Sequence, residues 1–210
     1  MAKIYLLNNI KYEGVENLEV FKIDYIKSDI DLKNYDALIF TSKNAIYSID
    51  SFNKDWKTIP SYAIAPKTAK IIKQYDGKLV FTGESSHGNS FAKELVDILK
   101  DKKVLYIKAL KTVSNLVEIL KEKNIEVDEL VSYKTSCNCV ENKLEKDSTF
   151  IFTSPSSVKC FFKNFEWDKS YKAVAIGKTT AKYLPFDINC KISPKTSIEE
   201  CIKVAQNITF

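Results

Sequence analysis

The sequence predicts an α/β protein with two doubly wound parallel sheets. Short, continuous apolar runs alternate along its 210 residues with longer segments of helical period. Parallel strands that are buried on both faces give such runs, and the helices between them cover the sheet. An internal repeat is the third observation, because it predicts that the two sheets are copies of one unit.

Ten apolar runs are candidate strands, since each is short and bounded by polar or turn-forming residues. They are residues 4–7, 20–26, 37–40, 61–64, 78–81, 104–107, 130–133, 150–152, 173–176 and 188–192. Residues 91–99 and 113–120 carry apolar side chains at helical spacing, and we expect the first of these helices to begin after an N-cap at Ser90. This alternation of strand and helix is typical of doubly wound sheets.

Two octapeptides recur at a constant separation. Residues 39–46 match 151–158, and residues 63–70 match 175–182, so both pairs are 112 residues apart (39 to 151 and 63 to 175). Weaker matches extend the repeat to whole halves of the chain: 3–6 with 103–106, and 17–28 with 124–135. Two matches in one register favour a duplicated structure over coincidence.

The repeat leaves two domain arrangements open. The halves can fold separately as residues 1–100 and 101–210, or they can exchange their opening strands. In the second arrangement, the β-prone segments 21–30 and 128–137 pair as two antiparallel connecting strands.

Composition and charge narrow the classes of function. All 32 basic residues are lysine and the net charge is +5. Without arginine the chain lacks the usual bidentate group for guanine or phosphate, which counts against a sequence-reading nucleic-acid binder. A modest positive charge suits an acidic small molecule. No apolar run approaches the ~20 residues of a membrane span, and the chain opens directly into a strand-like run, so we expect a cytoplasmic protein.

The cysteines and the histidine predict no metal site. Five cysteines are an odd number without the spacing of a disulfide scaffold, and we expect them to be reduced thiols. Cys137 and Cys139 lie two residues apart, but no second Cys or His pair follows at zinc spacing, and His87 is the only histidine.

Four turns join a predicted strand to a predicted helix through small or hydroxyl-bearing residues. In open α/β sheets ligands bind at the carboxyl ends of the strands, where helix N-termini offer free N–H groups to anions. Each turn alone also fits simple helix capping, and none contains a phosphate-binding or dinucleotide motif. The candidate binding residues are Thr41, Ser42, Lys43, Ala65, Lys67, Thr68, Ser154, Pro155, Ser156, Gly177, Lys178, Thr179 and Thr180.

A fifth polar loop, residues 83–90, and one predicted strand add further candidates. The loop supplies His87, Gly88, Asn89 and Ser90. His87 invites a general acid–base role, but the sequence offers it no identifiable partner, and a loop-shaping role is the alternative. Tyr133 lies in a predicted strand, where it is either a core residue or a residue that faces a binding site.

Seven motifs follow one another along nearly the whole chain. They are residues 35–42, 63–69, 88–95, 104–108, 131–135, 152–156 and 175–181. Their order and spacing are more specific than any single motif, and taken together they resemble the uroporphyrinogen-III synthase family.

The resemblance implies the second domain arrangement. The fold would be two flavodoxin-like, duplicated α/β domains: an outer domain of residues 1–26 and 137–210, and a middle domain of residues 33–131. A two-stranded antiparallel connector of about residues 21–30 and 128–137 would join them.

The resemblance also implies a reaction and a substrate. The enzyme would be a cyclising hydro-lyase of haem biosynthesis, which closes the linear tetrapyrrole hydroxymethylbilane with loss of water and inversion of the last pyrrole ring. It would use no cofactor and would act mainly by positioning its many-carboxylate substrate. Tyr133 matches the cleft-facing tyrosine of the family, a candidate to assist departure of the hydroxyl. Ser42, Thr68, Ser154 and Thr180 match positions that line the cleft, and Lys108 is a further candidate binding residue.

Four positions depart from the family pattern. Ala65 stands where glycine is usual, Lys178 where proline is usual, and Lys108 with Ala109 replaces a common Arg-Gly pair. These departures weaken single site assignments more than the family assignment.

The expected partner is the small-molecule substrate alone. The resemblance implies a monomer that binds neither nucleic acid nor membrane and that receives its substrate by a transient hand-off from hydroxymethylbilane synthase. Two other classes stay open from the residues: a non-catalytic two-domain binding module for an acidic small molecule, and a flavodoxin-like FMN protein in which residues 153–157 hold the phosphate.

Overall fold

The structure is a computed structural model that describes residues 3–84 and 87–208. The chain divides into two compact units. Unit 1 comprises the described residues of 1–22 and 135–210, and unit 2 comprises those of 23–134. Unit 1 is therefore built from both ends of the chain and unit 2 from its middle.

Parallel strands and short helices make up both units. The strands are β1 (Ile4–Leu7), β2 (Glu16–Asn17), β3 (Phe21–Tyr25), β4 (Ala37–Phe40), β5 (Ser61–Ala63), β6 (Leu79–Thr82), β7 (Lys103–Ala109), β8 (Glu126–Cys137), β9 (Thr149–Phe152), β10 (Lys172–Ala175) and β11 (Cys190–Ile192). The helices are α1 (Lys43–Phe52), α2 (Pro66–Gln74), α3 (Gly88–Leu95), α4 (Leu116–Lys121), α5 (Pro155–Asn164), α6 (Lys178–Ala181) and α7 (Ile198–Gln206). Among the described residues, no helix is both long and apolar enough to cross a membrane.

The sheet of unit 1 has the strand order β11-β10-β9-β1-β2, and every adjacent pair is parallel. Leu7 pairs with Phe152, and Phe152 pairs with Ala175, so β1, β9 and β10 end at the same level. The central strands are buried on both faces, which explains their continuous apolar sequence.

The sheet of unit 2 has the order β3-β8-β7-β4-β5-β6, in which the pairs from β8 to β6 are parallel. Strands β8, β7, β4, β5 and β6 occupy the places that β2, β1, β9, β10 and β11 occupy in unit 1. The recurring octapeptides fall on equivalent elements: β4 with α1 and β9 with α5, then β5 with α2 and β10 with α6. The order of equivalent strands is thus the same in both sheets, although their order along the chain differs.

The segments β3 and β8 lie beside each other. The Ile26 amide donates to the Ser132 carbonyl oxygen over 2.7 Å, and the Asn138 amide donates to the Val20 carbonyl oxygen over 2.9 Å. The first bond belongs to unit 2 and the second to unit 1.

Helices cover both faces of the unit 2 sheet. Helices α1 and α2 pack on one face around Phe40, Trp56 and Leu105, and α3 and α4 pack on the other around Ile39, Phe91 and Tyr106. The helix that follows β4 therefore lies on the face opposite to the helix that follows β7. The boundary between β4 and β7 is the topological switch point of this sheet, where ligands of doubly wound proteins bind.

Unit 1 has an aromatic core on one face of its sheet. This core contains three fully buried phenylalanines, Phe150, Phe152 and Phe161. The centroid of the Phe161 ring lies 5.0 Å from that of Phe150 and 5.5 Å from that of Phe152. Trp167 and Tyr171 pack against the same group. Helix α7 covers the other face, where it packs around Leu6, Ile151 and Val174. The strand that follows β1 lies on one side of it and the strand that follows β9 lies on the opposite side, so the switch point of this sheet lies between β1 and β9.

The expectation of five reduced thiols is wrong for two of them. Cys137 at the end of β8 and Cys160 in α5 form a disulfide, with Cα atoms 5.1 Å apart. Cys139, Cys190 and Cys201 are free. Sequence spacing did not reveal the pair, because the packing of the β8 end against α5 in the unit 1 core brings the two residues together.

All ten predicted strands are confirmed, with ends that shift by a few residues. The two-residue β2 was not predicted, because it has no apolar run. The helix predicted over 91–99 runs instead from Gly88 to Leu95, so its N-cap is His87 and not Ser90. The helix predicted over 113–120 begins only at Leu116, and Val113 is fully exposed.

Candidate active site

The carboxyl end of β4 contributes two consecutive hydroxyls at the switch point of unit 2. Ser42 is the N-cap of α1, and its side-chain oxygen accepts from the Asn44 amide over 3.2 Å. Thr41 precedes it, and its Oγ1 lies 2.9 Å from Tyr106 Oη on the neighbouring β7. Lys43 is the first helical residue and is exposed. The two hydroxyls are thus fixed by α1 and by β7 before any ligand arrives.

Tyr133 lies in the same part of unit 2. It pairs with Ala109 where the register of β7 and β8 shifts, and the Leu110 amide donates to its carbonyl oxygen over 2.8 Å. Its side chain is buried against the α1 and α2 side of the core. Burial raises the pKa of the Tyr133 hydroxyl, and an interaction with the Ser42 side chain lowers it by less. The phenol therefore stays protonated at neutral pH.

Lys108 brings a positive charge to the end of β7. Its ammonium forms an ion pair with Glu129 on β8 and lies 6.0 Å from the centroid of the Tyr106 ring. The Lys108 side chain is mostly buried, at 17% exposed, whereas that of Glu129 is 37% exposed. A carboxylate ligand would have to compete with Glu129 for this lysine.

The β5 end differs from the β4 end in how its helix starts. Ala65 is the N-cap of α2 and supplies no side-chain hydrogen bond, and Pro66 occupies the first turn. Lys67 is exposed, but Thr68 is 6% exposed and its amide donates to the Ala65 carbonyl oxygen over 3.0 Å. The turn presents backbone N–H and a lysine, and the structure buries the threonine that was predicted to line the site.

The fifth predicted loop leads into α3. His87 is exposed and makes no side-chain capping bond, and Asn89 and Ser90 are in the first turn of the helix. Gly88 approaches the loop after β7 closely: a Cβ on Gly88 would lie 2.5 Å from Ser114 Cβ. The Asn115 amide donates to Asn89 Oδ1 over 2.8 Å, so α3 begins against this loop. Residues 85 and 86 of the predicted loop lie outside the described residues.

Unit 1 offers an equivalent set of turns. Ser154 is the N-cap of α5 and forms a reciprocal capping box with Ser157, with Pro155 and Ser156 in the first turn. Thr153 Oγ1 donates to the Leu7 carbonyl oxygen over 2.9 Å, and Asn8 Nδ2 donates to Thr153 Oγ1 over 3.4 Å. The hydroxyls at the switch point of unit 1 are therefore tied to the end of β1.

The second turn of unit 1 follows β10. Gly177 is the N-cap of α6, and a Cβ built on it would meet nothing within 4 Å. Lys178 and Thr179 are exposed, whereas Thr180 is 3% exposed. Like Thr68, Thr180 is buried beneath its own helical turn and does not offer its hydroxyl to solvent.

Each unit brings its own predicted residues to one edge of its sheet. In unit 2 these are the ends of β4, β5, β6 and β7, and in unit 1 the ends of β9 and β10. The sequence did not single out Tyr106, Ser114, Glu129 or Asn8. Tyr106 stands in the apolar run 104–107, where it resembled a core residue, and its polar role depends on contacts with Thr41 and Ser114.

Two concave regions lie away from the switch points. A cavity of about 520 Å³ in unit 2 is lined by α2 residues and Thr82, and one of about 510 Å³ in unit 1 is lined by Trp167, Tyr171 and neighbouring polar residues. Neither is lined by Thr41, Ser42 or Tyr133. No cluster of three or more His, Cys, Asp or Glu suited to a metal ion occurs in the part of the chain that the structure describes.

Comparisons with known proteins agree with the motif resemblance. The family model described as uroporphyrinogen-III synthase HemD matches residues 20–203. The solved uroporphyrinogen-III synthetase of Helicobacter pylori 26695 is 30% identical, with both chains covered over 100% of their length and a TM-score of 0.86. A mutant uroporphyrinogen III synthase of Thermus thermophilus shares the fold, with 12% identity, a TM-score of 0.56 and coverage of 97% and 96% of the two chains. No curated protein sequence matches the chain. The family model covers most of the chain, and the Helicobacter pylori relative is 30% identical over its full length. The chain therefore belongs to the uroporphyrinogen-III synthase family.

Proposed function

We propose that this protein closes hydroxymethylbilane to uroporphyrinogen III, with loss of water and inversion of the last pyrrole ring. The observation that carries the proposal is the family match over residues 20–203, supported by a full-length structural relative. It places the protein in porphyrin and haem biosynthesis and favours a cyclising lyase over a passive binding module or an FMN protein.

The switch-point residues suit the substrate that this reaction requires. A linear tetrapyrrole carries carboxylates on every ring, and the turns after β4, β5, β6, β9 and β10 present helix N-termini to such groups. Lys43, Lys67 and Lys178 lie beside these N-termini with their side chains at least partly exposed. We assign substrate binding to the predicted residues of both units, except for Thr68 and Thr180, whose side chains are buried.

Tyr133 is the proposed catalytic residue. Departure of the terminal hydroxyl of the substrate as water requires a proton, and a neutral phenol can donate one or form a hydrogen bond to the leaving oxygen. The raised pKa of Tyr133 keeps it in that protonated form. Since this pKa lies above its ordinary value of 10.0, ionisation of Tyr133 should not reduce the rate between pH 7 and pH 9.

The remaining chemistry is positional. The azafulvene left by water loss is attacked by the substituted carbon of the last ring, and the resulting spiro intermediate breaks and recloses with that ring inverted. Unaided closure gives the uninverted isomer. The protein therefore has to hold the chain in the geometry of the inverting pathway, which multiple carboxylate contacts can do without a strong acid–base pair.

Several features of organisation belong to the proposal. We assign an outer domain of residues 1–26 and 137–210, a middle domain of residues 33–131 and a two-stranded antiparallel connector of 21–30 and 128–137. Two backbone hydrogen bonds, Ile26 to Ser132 and Asn138 to Val20, support the connector. From the second bond to the first, the residue number increases in one segment and decreases in the other, as it does between antiparallel strands. The matching order of equivalent strands supports an internal duplication. We also propose a cytoplasmic monomer that needs no cofactor and receives its substrate from hydroxymethylbilane synthase.

The test is a coupled assay with a source of hydroxymethylbilane and chromatographic separation of the product isomers. The protein should yield the type III isomer, whereas the same reaction without it yields type I. Type I product alone would refute the proposal. Tyr133→Phe should lower kcat at least tenfold without unfolding, whereas Tyr62→Phe, which alters another buried tyrosine of unit 2, should not. Wild-type kinetics in Tyr133→Phe would remove Tyr133 from the mechanism.

A further inference from the structure

Tyr106 is a buried tyrosine with a polar end at the switch point of unit 2. Its side chain is 2% exposed and packs on the α3 and α4 side of the core. Its hydroxyl lies 2.9 Å from Thr41 Oγ1 and also interacts with the Ser114 side chain. A buried phenol requires such partners, so the three side chains constrain one another.

Thr41 and Ser42 are each engaged by a different tyrosine. Tyr106 contacts Thr41 from the α3 and α4 side of the sheet, and Tyr133 interacts with Ser42 from the α1 and α2 side. Tyr133 is the proposed catalytic residue, whereas the proposed mechanism assigns no role to Tyr106. The pair of tyrosines holds the end of β4 from both faces.

Tyr106 also connects this end of β4 to the start of α3. Ser114 belongs to the loop after β7, and this loop approaches Gly88 so closely that a Cβ there would clash with Ser114. The Asn115 amide donates to Asn89 Oδ1 over 2.8 Å. Because Gly88 and Asn89 are proposed binding residues, the Tyr106 hydroxyl lies between two parts of the proposed site.

We propose that Tyr106 is a positioning residue of the ring closure, which sets Thr41 and the Ser114 loop in fixed relation through its hydroxyl. The inference rests on the proposed function. In a reaction controlled by geometry, a small displacement of binding groups costs rate more than affinity. Removing this hydroxyl should therefore lower kcat on the order of tenfold and leave KM within about twofold.

The test is Tyr106→Phe, which keeps the ring and removes only the oxygen. Tyr62→Phe is the matched control, because Tyr62 is 1% exposed in the same core and its hydroxyl accepts from Lys102 Nζ over 3.1 Å, away from the site. Each variant should lower the midpoint of urea unfolding by a similar, small amount, because each removes one buried hydrogen bond. Only Tyr106→Phe should lower kcat and, with enzyme in excess over substrate, raise the share of type I product.

A double-mutant cycle with Thr41→Val tests the route of the effect. If Tyr106 acts through Thr41, the double variant should be no slower than the slower single variant. Wild-type kcat and isomer ratio in Tyr106→Phe, an equal loss of kcat in Tyr62→Phe, or fully additive losses in the cycle would each overturn the inference.

Failure of the proposed function would look different. A wild-type protein that makes no type III product would refute the synthase activity itself. Hydrogen exchange at the Asn115 amide would still show whether Tyr106 holds the loop, since Tyr106→Phe should then accelerate that exchange and Tyr62→Phe should not. Unchanged exchange in both variants would overturn the positioning role independently of activity.

Discussion

The two units hold the same turn in different ways. In unit 2, Thr41 after β4 bonds to the side chain of Tyr106, and in unit 1, Thr153 after β9 bonds to the Leu7 carbonyl and to Asn8. Both threonines occupy the same place in the strand order. A bond to a backbone carbonyl is available in any strand, whereas the bond in unit 2 requires a tyrosine. The turn after β4 in unit 2 therefore depends on one particular side chain of β7, whereas the turn after β9 in unit 1 depends on the end of β1.

A second difference concerns the cores. All five cysteines lie in unit 1, and residues 23–134 contain none. The disulfide joins the end of β8 to α5, whose first turn carries the proposed binding residues Ser154 and Ser156. The fold of unit 1 is therefore constrained by a disulfide, whereas unit 2 folds without one.

The largest expected difference between the units is their response to reductant. Reduction of the disulfide between Cys137 and Cys160, which are 23 residues apart, should lower the stability of unit 1 by about 3 kcal/mol, because the unfolded chain regains the entropy of that loop. The fluorescence of Trp167 reports unit 1 and that of Trp56 reports unit 2. Urea unfolding with and without dithiothreitol, in single-tryptophan variants, should show the loss in the Trp167 signal.

The free cysteines supply the control for that measurement. Cys139→Ser changes an exposed thiol two residues from Cys137 and should leave the stability unchanged, whereas Cys137→Ser should reproduce the effect of reductant. Thiol titration in denaturant should find three reactive groups before reduction and five after it. Five groups before reduction would contradict the disulfide.

A smaller difference is expected between the two serine N-caps. Ser42→Ala and Ser154→Ala should each cost about 1 kcal/mol, because each removes a cap from a ten-residue helix. Only Ser42→Ala should raise the pKa of Tyr133 further, since the Ser42 side chain lowers it. Urea unfolding measures the loss of stability in each variant, and NMR titration of labelled tyrosine measures the pKa of Tyr133. An equal shift in both variants would remove Ser42 as the specific cause.

Much of the fold was predictable because its signals are local. Continuous apolar runs mark β4 and β9, and the repeat relates these two strands from the sequence alone. Features that depend on distant contacts were not predictable. The start of helix α3 at Gly88 lies against Ser114 from the distant loop after β7, and the disulfide joins Cys137 to Cys160, which lies 23 residues away in α5. In the sequence Tyr106 has the pattern of a core residue, and its ring is indeed buried in the core. Only its hydroxyl, which contacts Thr41, reaches the proposed site.

The smallest expected effect on folding is at the paired N-caps Ala65 and Gly177. The backbone of Gly177 is extended, with φ −176°, and an added Cβ would meet nothing within 4 Å. Gly177→Ala, which gives unit 1 the residue that unit 2 has, should change the free energy of unfolding by less than about 0.5 kcal/mol.

This neutrality makes Gly177→Ala a probe of binding alone. If a substrate carboxylate approaches the backbone N–H groups that follow residue 177, the added methyl should crowd it and raise KM severalfold with kcat little changed. Ala65→Gly is the reverse change in unit 2 and should not raise KM. Steady-state kinetics of the two variants beside their urea unfolding curves decide the matter. An unchanged KM in Gly177→Ala would remove the turn after β10 from the binding site and leave the contribution of unit 1 to the turn after β9.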